Sequence, residues 1–232
     1  MKLVAIKNYQ GTITLKSGLH IGSGDTEMRI GGTDNPVVKH PHTQEPYIPG
    51  SSLKGKVRAL LEMRSGLMGT TGGEPLGLKN LKGLDGQSRI NCEQILKLFG
   101  ASGADSDDAL ELGPTRVSFA DCALDTQWRA EAAARHLPLT EVKSENTINR
   151  IKGVASDPRQ TERVVADARF RFSIMLKKMQ DDEDLEDLLL SGIKLLELDA
   201  LGGSGSRGYG KVTFEFDDPQ VRERFETLHA FD

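Results

Sequence analysis

Period-two alternation opens the chain. Within Leu3 to Leu19, an LVAI run is followed by Thr12, Thr14 and Lys16 alternating with Ile13 and Leu15, which predicts a strand or hairpin. Residues 22–36, GSGDTEMRIGGTDNP, hold too little apolar surface to bury and read as a surface loop. From 51 to 65 the period becomes helical. Leu53, Val57, Leu60 and Leu61 share one face, Pro49-Gly50 breaks the chain before them, and Ser51 or Ser52 is placed to cap. Residues 66–88 are glycine-rich and read as a loop. NCEQILKLFG predicts a short helix from Asn91, stopped by Gly100, and ASGADSDDALELG an exposed loop. TRVSFADCAL alternates as a strand, and 128–136 reads as a helix. ARFRFSIML, from Ala168 to Leu176, alternates cleanly. Asp182 to Leu201 is helical, with Leu185, Leu188, Leu189, Ile193 and Leu196 on one face. GGSGSRGYG then precedes the strand KVTFEF and a short terminal helix.

The strongest elements run strand, helix, strand, strand, helix, strand. That is the split βαβ, or ferredoxin-like, order of an α+β domain. Between the second and third strands lies an excursion over 124–166. Its core, LTEVKSENTINRIKGVASDPRQTERVV, is polar and basic with few apolar anchors. No internal repeat is present.

Composition narrows the class. A chain of 232 residues suits one elaborated domain or two small ones. Hydrophobic residues make up 37%, enough for a core, but aromatics only 5%, so the core must be largely aliphatic. The longest apolar run is Leu3 to Ile6, far short of a membrane span. The opening MKLVAIKNYQGT is too short and polar for a signal peptide, so the expected location is cytoplasmic and no membrane partner is expected. Cys92 and Cys122 form no CxxC pair; they are buried thiols or a single bridge.

The net charge of −4 argues mildly against a nucleic-acid partner. Local charge argues the other way. Residues 143–171 carry Lys143, Arg150, Lys152, Arg159, Arg163, Arg169 and Arg171; residues 54–64 carry Lys54, Lys56, Arg58 and Arg64; 181–187 read DDEDLED. The two basic stretches could track a phosphate backbone, or be ordinary solvated faces.

Four segments could carry chemistry. GGSGSRGYG contains Gly203, Gly205 and Gly208 in the spacing of a dinucleotide fingerprint, but it follows a helix and precedes a strand, the wrong context. What remains is a glycine loop with Arg207, able to approach a phosphate closely, or a turn. At the start of the 51–65 helix, Ser51, Ser52, Lys54 and Arg58 suggest a phosphate clamp; a capped surface helix is the alternative. Asp34 sits in Asp-Asn-Pro, which by spacing alone reads as turn chemistry. His40 and His42 could form a metal pair but have no third ligand nearby. His20, beside the glycine loop, could contact a base, act as an acid–base group, or be structural. Glu141, Glu145 and Glu162 read as partners for the excursion's arginines.

Taken together, GLHIGSG, GGTDNPVV, PYIPGSSLKGKVR, KSENTINR, DPRQTERV and LGGSGSRGYGKV resemble the RAMP superfamily of CRISPR proteins. Their order resembles one branch, the repeated backbone subunit of type III-A (Csm) effector complexes, over nearly the whole chain. The resemblance implies one modified ferredoxin-like, RRM-like domain over 1–232. The 124–166 excursion would be a thumb, with the Gly-rich loop at 66–88 in the same domain. It implies copies stacked in a helical filament on guide RNA, other Csm subunits as partners, and cutting of target RNA at regular intervals. Asp34 matches the catalytic position, with a divalent metal, Mg²⁺, held there. His20, Ser51, Ser52, Lys54, Arg58 and the 202–210 loop fall where the family touches the guide. Asp121, Glu141 and Glu145 match acidic positions that support the structure or the site.

This sequence departs from the pattern at His40, where an acid is common, at an extra residue near Ser156-Asp157, and in the length of 66–88. Competing readings are a non-catalytic guide-binding scaffold, a metal-free guide-processing ribonuclease using His20, and a generic RNA-binding module.

Overall fold

In a computed structural model, which describes residues 2–24, 34–101 and 112–231, the opening alternation is one strand and not a hairpin. Strand β1 (Leu3–Leu15) buries Tyr9, Gly11, Ile13 and Leu15 on one face of its second half. Helix α1 (Gly50–Arg64) buries Leu53, Val57, Leu60 and Leu61, as the spacing predicted. Residues 66–88 are not a plain loop. Leu67, Leu76, Leu78 and Leu81 are buried, the last two on a short 3-10 turn (Leu78–Leu81), and a second such turn spans Met68–Thr70. Helix α2 (Gly86–Phe99) starts five residues before Asn91. Its first turn faces solvent, so it adds no apolar periodicity to read. The expected loops at 22–36 and 101–113 lie partly outside the described residues, at 25–33 and 102–111.

The remaining elements are β2 (Val117–Phe119), α3 (Thr126–Ala134), β3 (Thr140–Ile148), β4 (Ala155–Val164), β5 (Arg169–Met179), α4 (Glu186–Leu198), β6 (Val212–Phe216) and α5 (Pro219–Thr227). Regular pairing of the TRVSFADCAL segment stops after three residues. It continues as isolated bridges from Cys122 to Ile48 and from Leu124 to Phe170.

Four strands form an antiparallel sheet in the order β2-β5-β1-β6. β5 lies between β1 and β2, and β1 between β5 and β6. That is the interleaving of two split βαβ units, so the fold is ferredoxin-like. Ile13 faces Phe170 on one side and Phe214 on the other. Phe172 meets Phe214 and Phe216 edge-on at 5.5 and 5.3 Å, a favoured geometry for aromatic pairs. Helices α1 and α4 cover this face. A Cβ at Gly192 of α4 would come within 2.8 Å of Val57 and Leu61, so glycine lets the two helices approach closely. Among the described residues no helix is long and apolar enough to cross a membrane.

Cys92 and Cys122 are free and buried, and burial pushes their thiols up to about 11 and about 12. Most of the acidic 181–187 run is ion-paired, though much of it stays exposed. Asp182 forms a two-pronged pair with buried Arg116 at 2.8 Å. Glu183 pairs with Lys97, Glu186 with Lys7 and Arg224, and Asp187 with Arg224.

β3 and β4 form a separate two-stranded ribbon, which is the excursion. The ribbon carries a β-bulge near Ser156-Asp157. Glu145 faces Arg159 and Thr147 faces Ser156, so Asn146 alone opposes Asp157 and Pro158. Asp157 has φ 51°, and Pro158 has no N–H to lose from the ladder.

Candidate nucleic-acid interface

The base of the ribbon is tied to the sheet domain by one buried carboxylate. Glu162, on β4, is 8% exposed. It accepts from the Val37 N–H at 3.0 Å, Lys39 Nζ at 2.6 Å and Thr140 Oγ1 at 2.8 Å. Burial alone would raise its carboxyl; Lys39, the Val37 N–H and Thr140 outweigh that and hold it below the ordinary 4.5. The sequence reading paired Glu162 with an arginine. Its partner is Lys39, 123 residues away, which no local pattern could reveal.

That knot lays segment 34–39 along β4. Asn35 bridges Thr161 in parallel, and its carbonyl accepts from the Glu162 N–H at 3.0 Å. Asp34 is exposed, and its Oδ2 accepts from the Gln160 N–H at 3.1 Å. The turn chemistry that spacing suggested is therefore replaced by a contact across 126 residues.

His20 reaches the same strand from the other side. Its Nδ1 lies 2.7 Å from the Glu162 carbonyl. A carbonyl only accepts, so Nδ1 donates and a neutral ring presents Nε2 as a free acceptor. The His20 carbonyl accepts from the Gly203 N–H at 2.9 Å, which seats the glycine loop beside the ribbon. A Cβ at Gly202, whose φ is +73°, would come within 2.3 Å of that carbonyl. Gly205 opens a short 3-10 turn (Gly205–Arg207), and Gly208 ends it.

Between ribbon and loop lies an open cleft of about 700 Å³. His20, Asn35, Lys143, Asn146, Arg159 and Arg207 are among its lining residues. Arg150 and Arg159 are exposed, and among the described residues neither has an ion pair. Arg163 is occupied: it pairs with Glu141 at 2.7 Å and covers the Tyr209 ring at 5.0 Å.

The helix-terminus clamp is built differently from the expectation. The Gly50 N–H already donates to Asp121 Oδ1 at 2.8 Å, so a carboxylate of the chain sits at the start of α1. Arg58 does not face out as a clamp. Its guanidinium pairs with Glu62 at 2.7 Å and donates to the carbonyls of Gly100 and Leu76 at 3.0 and 2.6 Å. Ser51 is exposed and Ser52 half-buried. Lys54 has no ion pair among the described residues; partial burial and the neighbouring Arg58 charge lower its pKa. Four uncharged cleft residues escaped the sequence reading: Asn35, Asn146, Thr147 and Thr161. Being polar and uncharged, they left no charge signal.

Among the described residues no three His, Cys, Asp or Glu side chains gather as a metal-binding group, and the His40 and His42 rings lie 5.6 Å apart with their planes tilted by 54°. Asp34 still fits a hard cation of the Mg²⁺ kind, which takes one or two carboxylates together with substrate phosphate and water. Gln160 holds one oxygen of Asp34, and among the described residues Oδ1 has no hydrogen-bond partner.

A model of the RAMP superfamily matches residues 12–213, and the chain belongs to that superfamily. Within it the chain groups with proteins named CRISPR system Cms endoribonuclease Csm3. It is 38% identical over 235 residues to the one from Methanothermobacter thermautotrophicus, covering 94% of this chain and 87% of that one. Against the Streptococcus thermophilus protein of that name the figures are 41% over 211 residues, 89% and 86%. Among solved structures, it is similar to a chain of the Csm3–Csm4 subcomplex in the type III-A CRISPR-Cas interference complex. The TM-score is 0.55 at 29% identity, covering 93% of this chain and 78% of that one. The Methanopyrus kandleri Csm3 crystal structure gives 0.54 at 25%, covering 91% and 75%.

Proposed function

We propose that this chain is an endoribonuclease and the repeated backbone subunit of a type III-A CRISPR ribonucleoprotein. It binds guide RNA, stacks on copies of itself in a helical filament with other Csm subunits, and cuts complementary target RNA at regular intervals at Asp34. One observation carries the reading. Asp34 is docked on the ribbon beside a cleft that His20, Arg159, Arg207 and the glycine loop share.

The chemistry asks little of the protein. RNA brings its own nucleophile, the 2′-OH. A nucleotide pulled out of A-form geometry can place that hydroxyl in line with the adjacent 3′-phosphate, so positioning supplies much of the rate. The O–P bond to the 2′-oxygen forms, the bond to the 5′-oxygen breaks, the departing 5′-oxygen takes a proton from water, and the products are a 2′,3′-cyclic phosphate and a 5′-hydroxyl. Asp34 stands ready to accept the 2′-OH proton or to hold the cation. Mg²⁺ bound there would offset charge on the phosphate being cut. Exposed Arg150 and Arg159 neutralise the RNA backbone without reading bases, since specificity lies in guide–target pairing.

The test is target cleavage by reconstituted, guide-loaded complex. Asp34→Ala should slow cutting by about 100-fold or more while guide binding survives, and EDTA should abolish cutting by the wild type. Cuts that persist after the substitution would make the chain a scaffold. Cuts that persist in EDTA would favour metal-free chemistry at His20.

A further inference from the structure

Two elements face each other across the cleft, the glycine loop and the ribbon, and the Glu145 side chain reaches from one to the other. Glu145 of β3 receives three partners. Tyr209 Oη donates to its Oε1 at 3.1 Å, Lys143 Nζ approaches Oε1 at 3.2 Å, and Arg207 Nε approaches Oε2 at 3.3 Å. Tyr209 and Arg207 belong to the loop, Lys143 to the ribbon. The Tyr209 ring is fully buried beneath Lys143 Nζ at 4.5 Å and the Arg163 guanidinium at 5.0 Å, so the hydroxyl that grips Glu145 has a fixed origin. The electrostatics agree. Burial and the Glu145 carboxylate raise the Tyr209 pKa. Burial opposes ionisation of Glu145, yet Lys143, Tyr209 and Arg207 together hold its carboxyl below the ordinary range.

The position of this knot along the ribbon matters more than its strength. Ser144 faces Gln160 and Glu145 faces Arg159. Gln160 is the residue whose N–H holds Asp34. The loop therefore grips β3 at the level where Asp34 grips β4. Immediately beyond it the bulge at Asn146 interrupts the ladder, and among the described residues the hydrogen bonds of residues 146–158 run within the ribbon. Among the described residues, Glu145 and Gln160 are the last fastenings before that stretch.

We infer that Glu145 is a positioning residue: it clasps the glycine loop to the ribbon, and so fixes the strand on which Asp34 is docked relative to RNA in the cleft. The inference rests on the reading of Asp34 as the cutting residue. It is separable from a role in folding, because glutamine in place of Glu145 removes the charge but keeps an oxygen acceptor for the Tyr209 hydroxyl. It is also separable from simple charge. Removing an acid from a basic cleft should hold or raise RNA affinity on Coulombic grounds, whereas loss of positioning slows cutting.

The experiment compares guide-loaded complexes carrying wild type, Glu145→Gln, Tyr209→Phe and both substitutions. Three quantities are read: single-turnover cutting rate, target-RNA affinity, and amide hydrogen exchange over 158–163 and 203–210. The expected result for Glu145→Gln is cutting slowed about tenfold, affinity unchanged or tighter, and faster exchange in both segments. Tyr209→Phe should slow cutting less, and the double variant should be no slower than Glu145→Gln, because both act through one contact. Cutting at the wild-type rate, rate and affinity falling in parallel, or multiplicative effects would each overturn the inference. A parallel Asp34→Ala complex separates the two readings. If it cuts normally, Asp34 is not the cutting residue, and the clasp is decided by exchange alone: faster exchange in Glu145→Gln supports it and unchanged exchange overturns it.

Discussion

The two basic segments, α1 and the ribbon, look alike in sequence and are built for different work. In α1, Arg58 is folded inward onto Glu62 and two carbonyls, Lys56 is held by Asp199 at 2.6 Å, and Asp121 already occupies the helix start. Lys54 is what remains for a ligand. In the ribbon the division runs along the strand. Lys143 and Arg163, at the base, are tied to Glu145, Glu141 and Tyr209, while Arg150 and Arg159 stand in solvent. A cation near the core serves the fold, because a charge taken from water must be paired there. A cation held away from the core by a narrow ribbon keeps its hydration and can exchange it for phosphate.

The sharpest way to break this comparison is Arg58→Ala. It would leave the Glu62 carboxylate buried without its partner, at a cost of about 3 kcal/mol, or a melting midpoint roughly 6–12 °C lower. Thermal unfolding reads this directly. An unchanged midpoint with lost RNA binding would return Arg58 to the clamp.

Glu162→Gln should come next, at about 2 kcal/mol, since it unfastens segment 34–39 from the ribbon. Its pH signature has a definite sign. The folded carboxyl titrates below the ordinary 4.5, so its stabilisation is complete above about pH 4.5 and is lost as pH falls through the lowered value. Melting curves across the acid range should therefore fall less steeply for the variant than for the wild type. Equal slopes would show that the knot does not depend on charge.

Arg159→Ala should barely alter stability, within about 0.5 kcal/mol. In filter binding with single-stranded RNA it should weaken affinity and reduce the slope of log affinity against log salt by about 0.7. Lys54→Ala should act in the same direction and less strongly, because its partial burial already disfavours the charged form. A larger loss at Lys54 than at Arg159 would move the main RNA contact back to α1.

Much of the fold was legible before any coordinates. Leu53, Val57, Leu60 and Leu61 at helical spacing, and the alternation of Phe170, Phe172 and Ile174, are local signals, and each element appears where its period placed it. The errors share a cause. Residues 86–90 are helical but expose a polar turn, and 67–81 is anchored by leucines scattered among glycines, so neither offers a period to read. The candidate site was legible mainly through resemblance. Spacing alone made Asp34 a turn residue, and the Gln160 N–H that fixes it lies on a strand far along the chain.

Sequence by itself determined the order of the strands and helices of the sheet domain, the polar excursion, the glycine loop and the absence of paired cysteine motifs, because these depend on neighbours a few residues apart; that the excursion is a pair of strands came only from the structure. Only the tertiary structure decided which charges are free. Arg58 and Arg159 are the same residue in similar company, but a guanidinium's partners are chosen by whatever the fold brings within about 3 Å. For Arg58 those are carbonyls 18 and 42 residues away; for Arg159 they are solvent and an open cleft.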